Sequence, residues 1–380
     1  MIDSAGTADA MARLIRSRLT EWTTLVPLLA VLVLAVSWGR HLPGVVIAVV
    51  AALLAGAVLA AVHHAEVVAH KVGEPLGSLV LAVAVTVIEV GLIVALMING
   101  GDKTQALARD TVFAAVMITC NGILGLSLLI GALRRRVTVF NPEGTGGALA
   151  TVATLATLSL VVPTFTTSRP GPQFSPAQLT FAAVASLALY GLFVLVQTGR
   201  HRDYFLPVTQ EGRIMAVDAD GDGHADPPSL RTALASLTLL VVALIAVVGD
   251  AKTISPAIEL GVSAANLPPA FVGVVIALLV LLPETLAAAR AARRDRVQIS
   301  LNLALGSAMA SIGLTIPAIA LASIWLEGPL LLGLGGTQMA LLALTAVAGV
   351  LTVVPGRATV LQAGVHLVLL AAFVFLAASP

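Results

Sequence analysis

The sequence predicts an all-α, polytopic membrane protein of about eleven transmembrane helices, arranged as two inverted five-helix repeats plus an N-terminal accessory helix. Three observations carry this expectation. The 380 residues are 58% hydrophobic and only 11% charged, whereas a soluble domain has about 25% charged residues. Apolar runs of roughly 17–25 residues, long enough to cross a hydrocarbon layer, recur along the chain. Two of those runs each carry a lone glutamate at matching depth. The net charge of +1 gives no basis for nucleic-acid binding. Cys120 is the one cysteine; with no partner for a disulfide framework, it reads as a small core residue.

Taken in order, residues 1–20 hold Arg13, Arg16 and Arg18 and read as a cytoplasmic segment. Trp22 and Trp38 bracket the first run as interfacial anchors do, so 21–39 is read as an accessory membrane helix rather than a cleaved signal peptide. The runs fall at about 22–38, 43–62, 76–98, 110–132, 147–165, 177–197, 231–249, 269–289, 300–323, 329–351 and 358–378. Glycine and proline punctuate the gaps, as in "NPEG" at 141, "SRPGP" at 168 and "VPGR" at 354.

Lysine and arginine orient these spans by the positive-inside rule. With the N-terminus inside, sixteen of the 21 basic residues fall on the cytoplasmic side, among them Arg134–Arg136 and Arg290–Arg296. Arg40, Lys103, Arg109, Arg169 and Lys252 fall on the other. The expected protein is therefore a multi-pass protein of the inner (cytoplasmic) membrane, with its N-terminus cytoplasmic and its C-terminus outside.

Glu89 placed over Glu284 aligns "PLGSLVLAVAVTVIEV" with "AFVGVVIALLVLLPETL". Each glutamate lies about 13 or 14 residues into its span, and small polar residues near glycine follow in the next span: "CNG" at 120–122 and "LGSAMAS" at 305–311. Residues 40–199 would form one five-helix repeat and 230–380 the other, joined by an acidic cytoplasmic loop at 200–229. Five crossings per repeat require opposite orientations, an architecture of transporters with a midplane site.

Burying an ion in hydrocarbon costs several kcal/mol, so an intramembrane carboxylate holds either a proton or a metal cation. Competition of protons and metal ions for the oxygens of Glu89 and Glu284 is a sufficient mechanism of exchange. Pro283 lacks an N–H and frees the Leu279 carbonyl, predicting a helix break beside the site. Thr86 and Thr285 add hydroxyls, and Asn121, Asn302, Ser307 and Ser311 add neutral oxygens of the kind hard cations require. Each hydroxyl also reads as a helix-packing group.

The stretches "HHAEVVAHKVGEPLGSLVLAVAVTVIEV", "GGDKTQALARDTVFAAVMITCNGILGLSLL" and "LPETLAAARAARRDRVQISLNLALGSAMASIGLTIPA" closely resemble bacterial sodium-potassium/proton and calcium/proton antiporters of the calcium/cation antiporter superfamily. "FNPEGTGGALATVATLATLSLVVP" resembles the corresponding loop, helix and proline of cation/proton exchangers. The resemblance implies two inverted repeats, an accessory first helix and one essential glutamate per repeat, carried over to Glu89 and Glu284. It also matches Gly306 and Ser307 to a Gly-Ser pair, with Asn121 at the equivalent place in the first half. The chain departs from the family where Val85-Thr86-Val87 and Val280-Leu281-Leu282 replace a Gly-Asn-Ala, and where Ala308 and Ala310 replace a serine and a glutamine. Fewer oxygens favour a less demanding ion than Ca2+, such as Na+ or K+.

Two further motifs face the cytoplasm. "DADGDG" places Asp218, Asp220 and Asp222 like the opening of an EF-hand loop, with Asp226 ninth but Ser229 where a glutamate is expected. It reads as a weak cation-sensing loop or a solvated linker. His63, Glu66 and His70 fall at i, i+3 and i+7 and read as a proton sensor, a stray metal site or an interfacial helix end. No cofactor is expected; the partners are Ca2+, Na+, K+, H+ and the lipid bilayer. An intramembrane hydrolase lacks support because the chain has no HExxH and no intramembrane aspartate pair. A passive channel would need a lined pore instead of two isolated acids.

Overall fold

The structure, a computed structural model, describes residues 21–40, 42–73, 76–100, 104–209, 228–325 and 328–380. Residues 1–20 and the Asp218, Asp220, Asp222 and Asp226 stretch lie outside the described residues.

All eleven expected runs fall on helices, and the chain is a multi-pass, all-α membrane protein. The helices are α1 (Trp22–Ser37), α2 (Gly44–Val72), α3 (Leu76–Gly100), α4 (Leu107–Arg135), α5 (Pro142–Phe165), α6 (Pro176–Arg200) and α7 (Leu230–Ala264). They continue with α8 (Phe271–Val280), α9 (Leu282–Arg293), α10 (Val297–Ala322), α11 (Gly336–Val353) and α12 (Val360–Ala378). Among the described residues nine helices are long and apolar enough to cross a membrane, or ten if α8 and α9, bent by 53° to each other, count as one broken span. Helix α1 is shorter, at 16 residues.

Caps and breaks follow from local chemistry. The Asn141 side chain accepts from the Glu143 and Gly144 amides and starts α5 with Pro142 in its first turn. Ser175 and Gln178 form a reciprocal capping box on α6. Helix α4 carries a π turn at Ile118–Ile123, the single-turn irregularity that marks functional sites in helices.

Several bounds differ from expectation. Helix α7 runs fifteen residues past 249, to Ala264, because Asp250 and Lys252 lower the hydropathy without breaking the backbone. Residues 329–335, expected to begin a span, are extended; their amides donate to the carbonyls of Gln105, Pro172 and Leu160. Gly333 is required there, since a Cβ would come within 2.4 Å of Thr164 Oγ1.

Contacts between connections sort them into two ends, as alternate crossings demand. At one end His64 Nε2 lies 2.9 Å from the Thr23 carbonyl, and Arg135 pairs with Asp295 at 2.9 Å. There too a strand β1 (Thr138–Val139) pairs antiparallel with β2 (Arg357–Ala358). At the other end Lys252 sits over the Trp38 ring, and the 329–335 segment joins the turns after α3 and α5.

The core divides into two apolar clusters. One joins α1, α2, α3, α7 and a face of α8; the other joins α4, α5, α6, α10, α11 and α12. Helices α3 and α8 are shared. Ile88, Leu92, Val272 and Ile276 face the first cluster, while Ile93, Val274 and Ala277 face the second. The seam between the clusters therefore runs along α3, which carries Glu89, and along α8, which ends before Glu284.

Candidate functional site

Glu89 is 3% exposed, in the middle of α3. Ser311 donates to its Oε1 at 2.6 Å and Thr315 to its Oε2 at 3.0 Å. Both hydroxyls come from α10, so a carboxylate from the first half of the chain is held by the second half. A compact cavity of about 10 Å³ opens beside Glu89, space for about one water molecule or one desolvated ion. Val85 and Thr86 of α3, Ala115 of α4, Ala277 and Val280 of α8, and Ser307, Ala310 and Ser311 of α10 line it, with Leu281 at the helix break.

Glu284 lies just beyond the break and is not among the residues that line the cavity. Leu281 separates α8 from α9, and Pro283 lies in the first turn of α9, where a missing N–H costs least. Glu284 follows in the same turn. Its Oε2 is fully covered and has no hydrogen-bond partner, and it lies within electrostatic range of both Glu89 and Glu66. A carboxylate oxygen left without a donor in such surroundings is a group that a proton or a cation would satisfy.

The other expected site residues divide. Ser307, Ser311 and Thr86 line the cavity; the Thr86 hydroxyl donates to the Ala82 carbonyl at 2.8 Å and leaves its lone pairs as acceptors. Thr285 donates to the Leu281 carbonyl at 2.7 Å, across the break itself. Asn121 is fully buried in the π turn of α4, but its amide donates to Thr345 and its carbonyl oxygen lies 3.1 Å from His366. Asn302 is a correction. It donates to the Phe205 carbonyl at 2.7 Å and accepts from Gln298, about 13 Å along the helix from Ser311 at 1.5 Å per residue.

His63, Glu66 and His70 lie on α2, which continues unbroken to Val72. The metal-site reading is not met, because among the described residues no group of three such side chains is arranged to hold an ion. Glu66 instead lies within range of His63 and Arg290.

Sequence reasoning missed three groups. Thr315 had a signal: Ser307, Ser311 and Thr315 recur every four residues, one stripe on a helix. Asp250 was excluded by the early end assigned to its span, yet it is 0% exposed and neither of its oxygens has a partner. Asp110, placed at a span boundary, is 7% exposed and accepts from Arg109 at 2.8 Å. It also lines a cavity of about 380 Å³ with Glu259, Thr104 and Ser263. That cavity shares α3, α4 and α8 with the Glu89 cavity, through Leu96, Leu107 and Val272, and lies one to two turns from it along those helices.

The profile of the sodium/calcium exchanger protein family matches residues 41–199 and 235–378. The chain is 44% identical over 366 residues to the putative ionic transporter y4hA of Sinorhizobium fredii, covering 94% of this chain and 96% of the relative. It is 35% identical over 364 residues to the sodium-potassium/proton antiporter ChaA of Escherichia coli, with 94% and 96% covered. Among solved structures, native YfkE superimposes with a TM-score of 0.68 at 14% identity over 94% of this chain and all of that one. The H+/Ca2+ exchanger CAX does so with a TM-score of 0.62 at 16% identity, over 93% and 91%. These two likenesses establish a shared fold.

Proposed function

The chain belongs to the sodium/calcium exchanger family, and we propose that it is a secondary active antiporter exporting Ca2+, or Na+ and K+, in exchange for protons at a site built on Glu89 and Glu284. The observation that carries this is the Glu89 carboxylate, buried at the seam with donors on both oxygens, a single-ion cavity beside it and Glu284 within electrostatic range. A proton on either carboxylate removes the charge that attracts a metal ion, and a bound metal ion disfavours the proton. The two ligands exclude each other, and an empty site leaves anions in a low-dielectric interior. Two carboxyl groups hold up to two protons, enough to balance one divalent ion.

In this reading residues 40–199 and 230–380 are inverted repeats, 21–39 is an accessory helix, and 1–20 and 200–229 are cytoplasmic. The protein sits in the inner membrane with its C-terminus outside. Glu66 then lies towards the cytoplasmic approach. The cavity holding Asp110 and Glu259 is the outward one. The lone glutamate of each repeat and the basic-residue asymmetry support this arrangement.

A Na+(K+)/H+ antiporter with little Ca2+ transport is favoured by one specific observation. Ala310 lines the cavity where relatives by resemblance carry an oxygen-bearing side chain, and Ca2+ takes six to eight oxygen ligands. The likeness to a relative described as a sodium-potassium/proton antiporter points the same way.

Proteoliposomes with an imposed pH gradient test the proposal. Addition of Ca2+, Na+ or K+ should dissipate the gradient, and the order of half-saturating concentrations separates the two cation readings. Glu89→Gln and Glu284→Gln should abolish exchange while the purified proteins remain monodisperse. Retained exchange in Glu89→Gln would refute the site, and cation flux without proton counterflow would indicate a channel.

A further inference from the structure

Helices α11 and α12 contribute no residue to the lining of the Glu89 cavity, yet a buried polar chain connects them to α4. The Asn121 amide donates to Thr345 Oγ1 of α11 at 2.9 Å. Its carbonyl oxygen faces His366 Nδ1 of α12 at 3.1 Å, and His366 Nε2 lies 3.1 Å from Thr352 Oγ1 of α11. Asn121, His366, Thr345 and Thr352 are each at most 3% exposed. Because the Asn121 nitrogen is the donor to Thr345, its oxygen must accept; the pattern assigns the proton to His366 Nδ1 and leaves Nε2 to accept from Thr352.

The close approach is built into the sequence. A Cβ on Gly125 would stand 3.0 Å from His366 Cβ, and one on Gly122 would stand 3.1 Å from Leu370 Cδ2. Any larger residue at Gly125 would push His366 and α12 away from α4 by a few tenths of an ångström.

Asn121 belongs to the π turn at Ile118–Ile123, six residues after Ala115, which lines the Glu89 cavity. A π turn inserts one residue into the α-helical ladder. Removing or shifting it would rotate the segment before it against the segment after it by about 100°, the angle of one α-helical residue. The bonds that hold Asn121 therefore hold the register with which Ala115 meets the cavity.

We propose that His366 is a positioning residue for ion exchange: through its hydrogen bond to Asn121 it pins the π turn of α4, and by this bond α11 and α12 set the shape of the Glu89 site without touching it. The inference rests on Glu89 being the exchange site. Asn121 then acts from beside the site as its brace and is not a standing ligand. His366 binds no ion.

Exchange kinetics in proteoliposomes, with half-saturating cation concentration separated from maximal rate, test this. His366→Leu and Asn121→Ala should each raise the half-saturating concentration about tenfold, the ratio one buried hydrogen bond is worth. The double variant should fall clearly short of the product of the two singles, because the Asn121–His366 bond can be lost only once. His366→Asn, whose side-chain amide can still donate to Asn121, should stay within about twofold of the parent. A double variant with multiplied effects, a fully active His366→Leu, or a His366→Asn as impaired as His366→Leu would each overturn the proposal. Should His366→Leu fail to fold, Thr345→Val cuts the other bond of the same amide and carries the same expectation. Glu89→Gln separates the premise: an active Glu89→Gln refutes the site, whereas an inactive one with unaltered His366→Leu refutes only the brace.

Discussion

Glu89 owes its orientation to two hydroxyls on one stripe of α10, and each is open to a direct test. Ser311→Ala and Thr315→Val remove one donor each from the carboxylate. A hydrogen bond to a charged group is worth roughly 1.5–3 kcal/mol, so each variant should raise the half-saturating cation concentration by tenfold or more. Ser311→Thr, which keeps the hydroxyl, should lose much less. Unchanged kinetics in both deletions would show that the pair packs α10 without serving the ion. The same residue scale shows what sequence could and could not reveal. Glu89 and Glu284 stood out because an acid inside an apolar run is costly to keep there unless it is protonated or paired. Asn302 carried the same chemical signal as Ser311, but its place along α10 put it beside the Phe205 turn, and depth along a helix is not written in residue type. Outside the spans, the Arg135 hydrogen bond holds the Asp295 carboxyl below the usual carboxylate range. Such a group stabilises the fold above its unfolded pKa of about 3.9 and loses that contribution as pH falls through the lower folded value. Asp295→Asn, which still suits the positive φ of 60° there, should lower the melting temperature slightly at neutral pH. High salt or a pH below the carboxylate range should erase the difference.

At the scale of elements, the bend between α8 and α9 is the feature on which the glutamate pair depends. An uninterrupted helix through 271–293 would carry Glu284 along a different axis, whereas beyond the 53° bend α9 packs against α10 and the second half of α4. Pro283→Ala restores a backbone donor and favours continuity, since proline within a helix costs about 3 kcal/mol relative to alanine. The variant should melt at the same temperature or higher while its maximal exchange rate falls tenfold or more. Full activity would mean that the bend is set by packing alone and that the proline is incidental. The break was legible in the sequence because Pro283 lacks the N–H a continuous helix needs, although Pro27 and Pro256 sit inside α1 and α7 without ending them. The ends of α7 and α11 were not, because hydropathy reports the solvent around a helix and not the continuity of its backbone. Asp250 is covered by neighbouring helices in the α1, α2, α3 and α7 cluster, so its charge marks no boundary. Residues 329–335 are apolar but extended, because their amides already find partners in the turns after α3 and α5 and in α5.

For the whole molecule, the two apolar clusters meet along α3 and α8, which suits a transporter in which one bundle moves against the other around a fixed seam. Such a movement has meaning only with a defined orientation, and the basic residues supply the argument for it. Sixteen of 21 lie on the side assigned to the cytoplasm, and connections expected to share a side do meet in the structure, as β1 with β2 and Arg135 with Asp295. Pairing establishes which connections lie together; the positive-inside rule alone says which end faces the cytoplasm. Single-cysteine labelling resolves it. Cys120 is 2% exposed and should stay silent towards a membrane-impermeant maleimide, so Cys120→Ala serves as a clean background. Thr167, in the turn after α5, and Ser379, at the end of the chain, are exposed on one side of the bundle, and Asp203, after α6, is exposed on the other. In intact cells without an outer membrane, Thr167→Cys and Ser379→Cys should label, and Asp203→Cys should label only in everted vesicles. The reverse pattern would invert the protein and with it the proposed direction of transport. Labelling of Thr167→Cys and Asp203→Cys from the same side would break the alternation on which the opposed repeats depend.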